Sequence, residues 1–131
     1  MLELEDVIAA AEFRAALRAF MRESERAARL SGLTPQRYLL LLMIKGAPDR
    51  SEESTVTELA RRLQLAQSTV TELVSRAEQS GLLERRQSGV DGRVAHLRLT
   101  NEGERRLESS FTALETERRQ LRAAIDATIG L

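Results

Sequence analysis

"RRQSGVDGRVAHLRLT", Arg85–Thr100, is the stretch on which the fold turns. Two arginines lead into a segment holding Gly89, Asp91 and Gly92, and Arg93 and a run ending in Leu99–Thr100 follow. Gly reaches positive φ without steric cost and Asp bonds its own backbone, so both favour turns. Leu82 to Arg86 and Val94 to Leu99 therefore read as two strands around "QSGVDG". The residues just before, Thr57–Ser80, read "TELARRLQLAQSTVTELVSRAEQS". Thr57 can cap a short helix, Glu58 to Leu63, "QLAQ" makes a turn, and a second helix runs from Gln67 to Ser80 before Gly81. Leu59, Ala60, Leu63, Leu65, Val70, Leu73, Val74 and Ala77 supply its buried face. Two short helices across a tight turn make a helix-turn-helix, and a hairpin directly after it makes a winged helix.

Outward from this unit the chain is helical. Leu4 to about Leu30 carries Leu4, Val7, Ile8, Ala11 and Ala15 at helical spacing, with Phe13, Leu17 and Phe20 on a second face. Two apolar faces call for two packing surfaces, the second of them a partner subunit. Gly32 ends this helix; Thr34 caps the next, with Pro35 in its first turn, and Tyr38 to Ile44 is apolar nearly all round, hence buried. "DRSEES", Asp49–Ser54, reads as a polar loop. After Thr100, a second N-cap, one long helix is expected. Leu107, Phe111, Leu114, Arg118, Leu121, Ile125 and Thr128 repeat every three or four residues along it, a heptad seam suited to a second copy of the chain. The expected fold is mainly α with a small β-hairpin. A winged helix-turn-helix (residues 34–100) lies between long N- and C-terminal dimerisation helices (residues 1–33 and 101–131). Candidate dimer contacts are Leu4, Ile8, Leu107, Phe111, Leu114, Leu121 and Ile125.

Composition removes whole classes of function. No cysteine is present, which excludes disulfides, thiol nucleophiles and thiolate zinc sites, and one histidine, His96, builds no metal site alone. No catalytic constellation assembles, so neither an enzyme nor a cofactor is expected. The longest strongly apolar run, Leu39–Ile44, is far too short to cross a membrane, and the acidic start (Glu3, Glu5, Asp6) is unlike a signal peptide; a cytoplasmic protein is expected. Twenty basic and twenty acidic residues give a net charge of zero, unlike a strong non-specific nucleic-acid binder. Residues 57–100 nonetheless hold seven arginines against five acids, a net of +2, and no lysine. Arginine's planar fork suits phosphates and base edges.

The second helix of a helix-turn-helix enters the major groove of double-stranded DNA. Its outward side chains would be Gln67, Ser68, Thr69, Thr71, Ser75 and Arg76, mostly short and polar. Arg85 and Arg86 at the wing base suit phosphates, and Arg93 near its tip suits the narrow, negative minor groove. Asp91 would repel phosphate, so its expected task is to brace the tip by pairing with Arg93 or another arginine. The same residues are open to a second account, a winged-helix module that binds protein and not DNA, which the zero net charge favours.

The stretch "DGRVAHLRLT", Asp91–Thr100, resembles the wing motif of the MarR family of bacterial transcriptional regulators: D-x-R, five residues, then L-T. "GLTPQRYLLLLMI" before it and "LTNEG" after it stand in the order of that family, and the resemblance covers almost the whole chain. It implies a homodimeric repressor on a pseudo-palindromic operator, released by a small aromatic or anionic effector. The effector would sit between the dimer layer and the DNA-binding unit, near Phe13, Leu17, Phe20 and Tyr38. Gln64 departs from the pattern by standing in the turn where many such proteins have Gly, and the lack of cysteine excludes the thiol sensing of some relatives.

Overall fold

The structure, a computed structural model, describes residues 1–87 and 93–129. The described elements run α1 (Leu4–Leu30), α2 (Pro35–Lys45), α3 (Val56–Leu63), α4 (Gln67–Gln79), β1 (Leu83–Gln87), β2 (Ala95–Leu99), α5 (Asn101–Ala113) and α6 (Glu115–Ile129). Mainly helical, with one antiparallel hairpin, the chain has the winged-helix architecture expected from its sequence.

Local chemistry sets most boundaries. Thr34 accepts a hydrogen bond from the Arg37 amide at 3.1 Å and Pro35 opens α2, where a missing N–H costs nothing. The cap of α3 is Thr55 and not Thr57. Its hydroxyl accepts from the Glu58 amide (3.2 Å) and donates to the Glu58 carboxylate (3.1 Å). Thr55–Val56–Thr57–Glu58 thus has the T-x-x-E spacing of a capping box, which holds the first turn from both ends of the motif. Gln64 adopts the left-handed conformation (φ 59°, ψ 43°) that the turn before α4 requires. β1 pairs with β2 from Leu83↔Leu99 to Gln87↔Ala95, and its alternation turns Leu83, Leu97 and Leu99 inward. Ser54, in the segment expected to be a plain polar loop, pairs with Leu97 through two backbone hydrogen bonds of 3.1 and 2.8 Å. It is 2% exposed, so the loop is pinned to the sheet.

The core joins these parts. Leu40, Leu41 and Ile44 of α2, Leu59 of α3, and Val70 and Val74 of α4 are fully buried together with Leu82, Leu97 and Leu114, and Leu107 is buried in the same cluster. Burying a leucine or isoleucine side chain stabilises a fold by about 1.5–3 kcal/mol, so this aliphatic cluster carries the domain without tryptophan. Leu65, expected in it, is exposed in the turn between α3 and α4.

The single long helix expected after Thr100 is two helices. Leu114 separates α5 from α6 at φ −104°, ψ 11°, and is 1% exposed. Its side chain drops into the core, and α6 then runs along α1. Arg118 supports the break by donating to the Phe111 carbonyl and lying 3.6 Å above the Phe111 ring centre. A heptad seam assumes one straight axis, so this break interrupts it. Leu107 and Leu114, read as dimer contacts, belong instead to the core of their own chain. Phe111, Ile8 and Leu4 are exposed, and Leu121 and Ile125 are half-buried.

Candidate nucleic-acid interface

The face expected to meet DNA is built on α4 and the hairpin. α4 buries Val70, Val74 and Ala77, and that helical spacing leaves Gln67, Ser68, Thr69, Thr71 and Arg76 exposed on the other side. Ser75 lies nearer the core and is half-buried. Ala66, the residue before α4, offers no side-chain cap, so the first amides of the helix face outward beside these hydroxyls. Gln67 also reaches back to the Thr57 hydroxyl at 3.3 Å, tying the start of α4 to α3. Arg93 is exposed at the start of the strand that returns from the wing. Asp91, the expected brace, lies outside the described residues.

Three of the arginines expected on the DNA face have carboxylate partners. Arg76 donates to Glu72 at 2.6 Å, one helical turn away, and Arg85 to Glu78 at 2.9 Å. Arg86 makes a two-pronged contact with Glu53, Nε to Oε1 at 2.9 Å and Nη2 to Oε2 at 2.5 Å. The Glu53 side chain is only 10% exposed, with Arg98 at 3.6 Å and His96 Nδ1 at 4.0 Å. The hydrogen bond from Arg86, followed by its positive charge, holds the Glu53 carboxyl below the usual carboxylate range. His96, unassigned from sequence, is therefore a member of the charge cluster at the wing base.

Glu52 completes a second link. It pairs with Lys45 at the end of α2 and with Arg98 of β2 at 3.4 Å, while Lys45 bonds Glu104 of α5 at 2.8 Å. Arg50 and Glu52 both take left-handed backbone conformations (φ 66° and 60°), at a cost on the order of 1 kcal/mol each. Two adjacent carboxylates thereby clamp the wing base to α2 and α5. Glu52 and Glu53 carry no local sequence signal for these links, because their arginine partners lie 46 and 33 residues away.

Of the expected effector residues, Phe20 borders a cleft and Tyr38 is in the core. Phe20 lines a cleft of about 210 Å³ between α1 and α6 with Ala16, Ala19, Glu117 and Leu121, but Phe13, Leu17 and Tyr38 are not in its lining. Tyr38 is 4% exposed, a core residue whose hydroxyl pKa burial raises. A roomier and more apolar cleft, about 400 Å³, opens between α2 and α5, walled by Leu42, Lys45, Leu107 and Phe111.

Residues 31–94, which span the helix-turn-helix and β1 and stop just before β2, match the model of the MarR family. That segment of the chain is similar to the MarR family. It is similar to the helix-turn-helix-type transcriptional regulator YdgJ of Bacillus subtilis, 27% identical over 97 residues. That match covers 74% of this chain and 57% of YdgJ, so the chain spans a little over half the length of this curated relative. Among solved structures, it superposes on YusO of Bacillus subtilis with a TM-score of 0.68 at 24% identity, over 98% of each chain. It also superposes on an Escherichia coli MarR variant complexed with operator DNA, at a TM-score of 0.68 and 19% identity, over 92% of this chain and 85% of that one. At these identities the two superpositions establish the fold. Among the described residues no helix is long and apolar enough to cross a membrane, and no group of three metal-ligating side chains gathers.

Proposed function

We propose that this chain is a sequence-specific DNA-binding transcriptional regulator of the MarR family that acts as a homodimer on a pseudo-palindromic operator. The observation that carries it is the division of α4: valines fully buried on one side, Gln67, Ser68, Thr69 and Thr71 exposed on the other. Short hydroxyl and amide side chains let a helix lie deep in the major groove, where they bond phosphates and base edges. The E. coli MarR variant that was solved with operator DNA supports the same use of the fold. Repression follows if the bound dimer blocks polymerase.

Dimerisation is assigned to the outward face of α1 and the α5–α6 corner, where Leu4, Val7, Ile8 and Phe111 are all more than 40% exposed. Two half-sites about one helical turn apart need two linked subunits. In sedimentation, the chain alone is expected to run as a dimer at micromolar concentration and to load two copies onto a duplex. A monomer that leaves duplex DNA unshifted contradicts the proposal. Effector binding is assigned to the apolar cleft between α2 and α5, which also lies where Lys45 and Glu104 link those helices. An aromatic ligand seated there raises Tm by mass action; a thermal-shift screen of aromatic acids with no change removes this part.

A winged-helix module for protein partners is the second reading. It is favoured by zero net charge and by the carboxylates closing Arg76, Arg85 and Arg86.

A further inference from the structure

We propose that Glu53, Glu72 and Glu78 are autoinhibitory counter-charges: each occupies an arginine of the DNA face, so that a phosphate competes with a carboxylate of the same chain. This rests on the DNA-binding function proposed above. The three carboxylates come from two places, α4 and the loop before α3. Glu72 approaches Arg76 from within α4, Glu78 at the end of α4 meets Arg85 of β1, and Glu53 comes from the loop before α3 to Arg86.

Magnitudes decide what such pairs do. Arg76 and Arg86 are each 62% exposed and Arg85 is 37% exposed, so a phosphate can reach all three without rearrangement of the backbone. Exposed ion pairs are weak, about 0–1 kcal/mol, and a phosphate can displace them. The displaced carboxylate does not leave. Its backbone keeps it within a few ångströms of the guanidinium, inside the roughly 8 Å Debye length at physiological salt, and it repels the incoming phosphate. Glu53 is the most constrained of the three, because Ser54 beside it is fixed to Leu97 and its own side chain is 10% exposed. Net binding charge on this face is therefore smaller than its arginine content. The overall balance of 20 basic and 20 acidic residues is then partly a local property of the interface.

The test uses the full chain and a fluorescent duplex of random sequence, titrated at several salt concentrations. Glu72→Gln, Glu78→Gln and Glu53→Gln keep the size and one acceptor oxygen and remove the negative charge. Each phosphate neutralised contributes about 0.9 to the slope of log K against log salt. Each substitution is therefore expected to steepen the slope by nearly one and to tighten binding about fivefold at 0.15 M salt. Unchanged or weakened binding with an unchanged slope overturns the proposal and makes the glutamates structural clamps only. Glu72 is 63% exposed, so its variant keeps the test open should Glu53→Gln fail to fold. Wild-type chain that binds no duplex at any salt overturns the DNA-binding function and this proposal together. Wild-type binding with three indifferent variants overturns this one alone.

Discussion

Gly103→Ala is expected to destabilise the fold by about 2 kcal/mol, and to lower Tm by on the order of 10 °C. On an open helix the same change would stabilise by up to about 1 kcal/mol, since Gly is the poorer helix former. Here the sign reverses. Gly103 lies in the first turn of α5, and a Cβ there would stand 2.2 Å from the Leu82 carbonyl oxygen and 3.2 Å from its carbon. The obstacle is backbone, and that backbone is committed. Leu82 is buried, its carbonyl accepts from the Thr100 amide at 3.0 Å, and Thr100 in turn accepts from the Gly103 amide at 3.1 Å. Relief requires α5 to move off the turn that joins α4 to β1, which disturbs the junction between the wing and the C-terminal helices. Thermal unfolding followed by circular dichroism reads the result directly. A variant as stable as wild type would show that this junction yields, and would remove the close approach as a determinant of wing position.

Arg93→Ala is expected to weaken operator binding by roughly 1–3 kcal/mol, about 5- to 150-fold, with the fold intact. Arg93 is exposed beyond the paired part of the hairpin, which ends at Gln87↔Ala95, so its loss leaves no cavity. An arginine in the narrow minor groove is favoured by focused negative potential, and alanine supplies nothing in its place. Gel-shift titration of the variant and the wild type at one salt concentration checks this. Equal affinity of Arg93→Ala and wild type would take the wing out of the mechanism.

Local patterns made the winged-helix unit legible in the sequence. Thr34 and Thr100 announced their helices as caps, the Gly–Asp segment announced the hairpin, and the valine spacing of α4 announced its buried side. Features set by distant partners were not legible. No proline or glycine marks the break at Leu114, and the seam from Leu107 to Ile125 reads straight through it. Only packing against α1 shows that Leu114 turns inward. Glu52 and Glu53 looked like ordinary members of a polar loop, because what fixes them is Lys45, Arg86 and Arg98 from three other elements. Thr55 is a different case. Its T-x-x-E spacing with Glu58 is a local signal, but Thr57 stands closer to the apolar run and draws the eye first. For the recognition face, sequence identified which residues point outward but not which arginines are already paired.

Selection of bound duplexes from a random pool by the full chain tests the central claim most directly. Two recognition helices related by a two-fold axis should enrich a palindrome whose half-sites lie about one helical turn, roughly 10 base pairs, apart. A pool that remains random after repeated rounds contradicts sequence-specific DNA binding and leaves the winged helix as a module for protein partners.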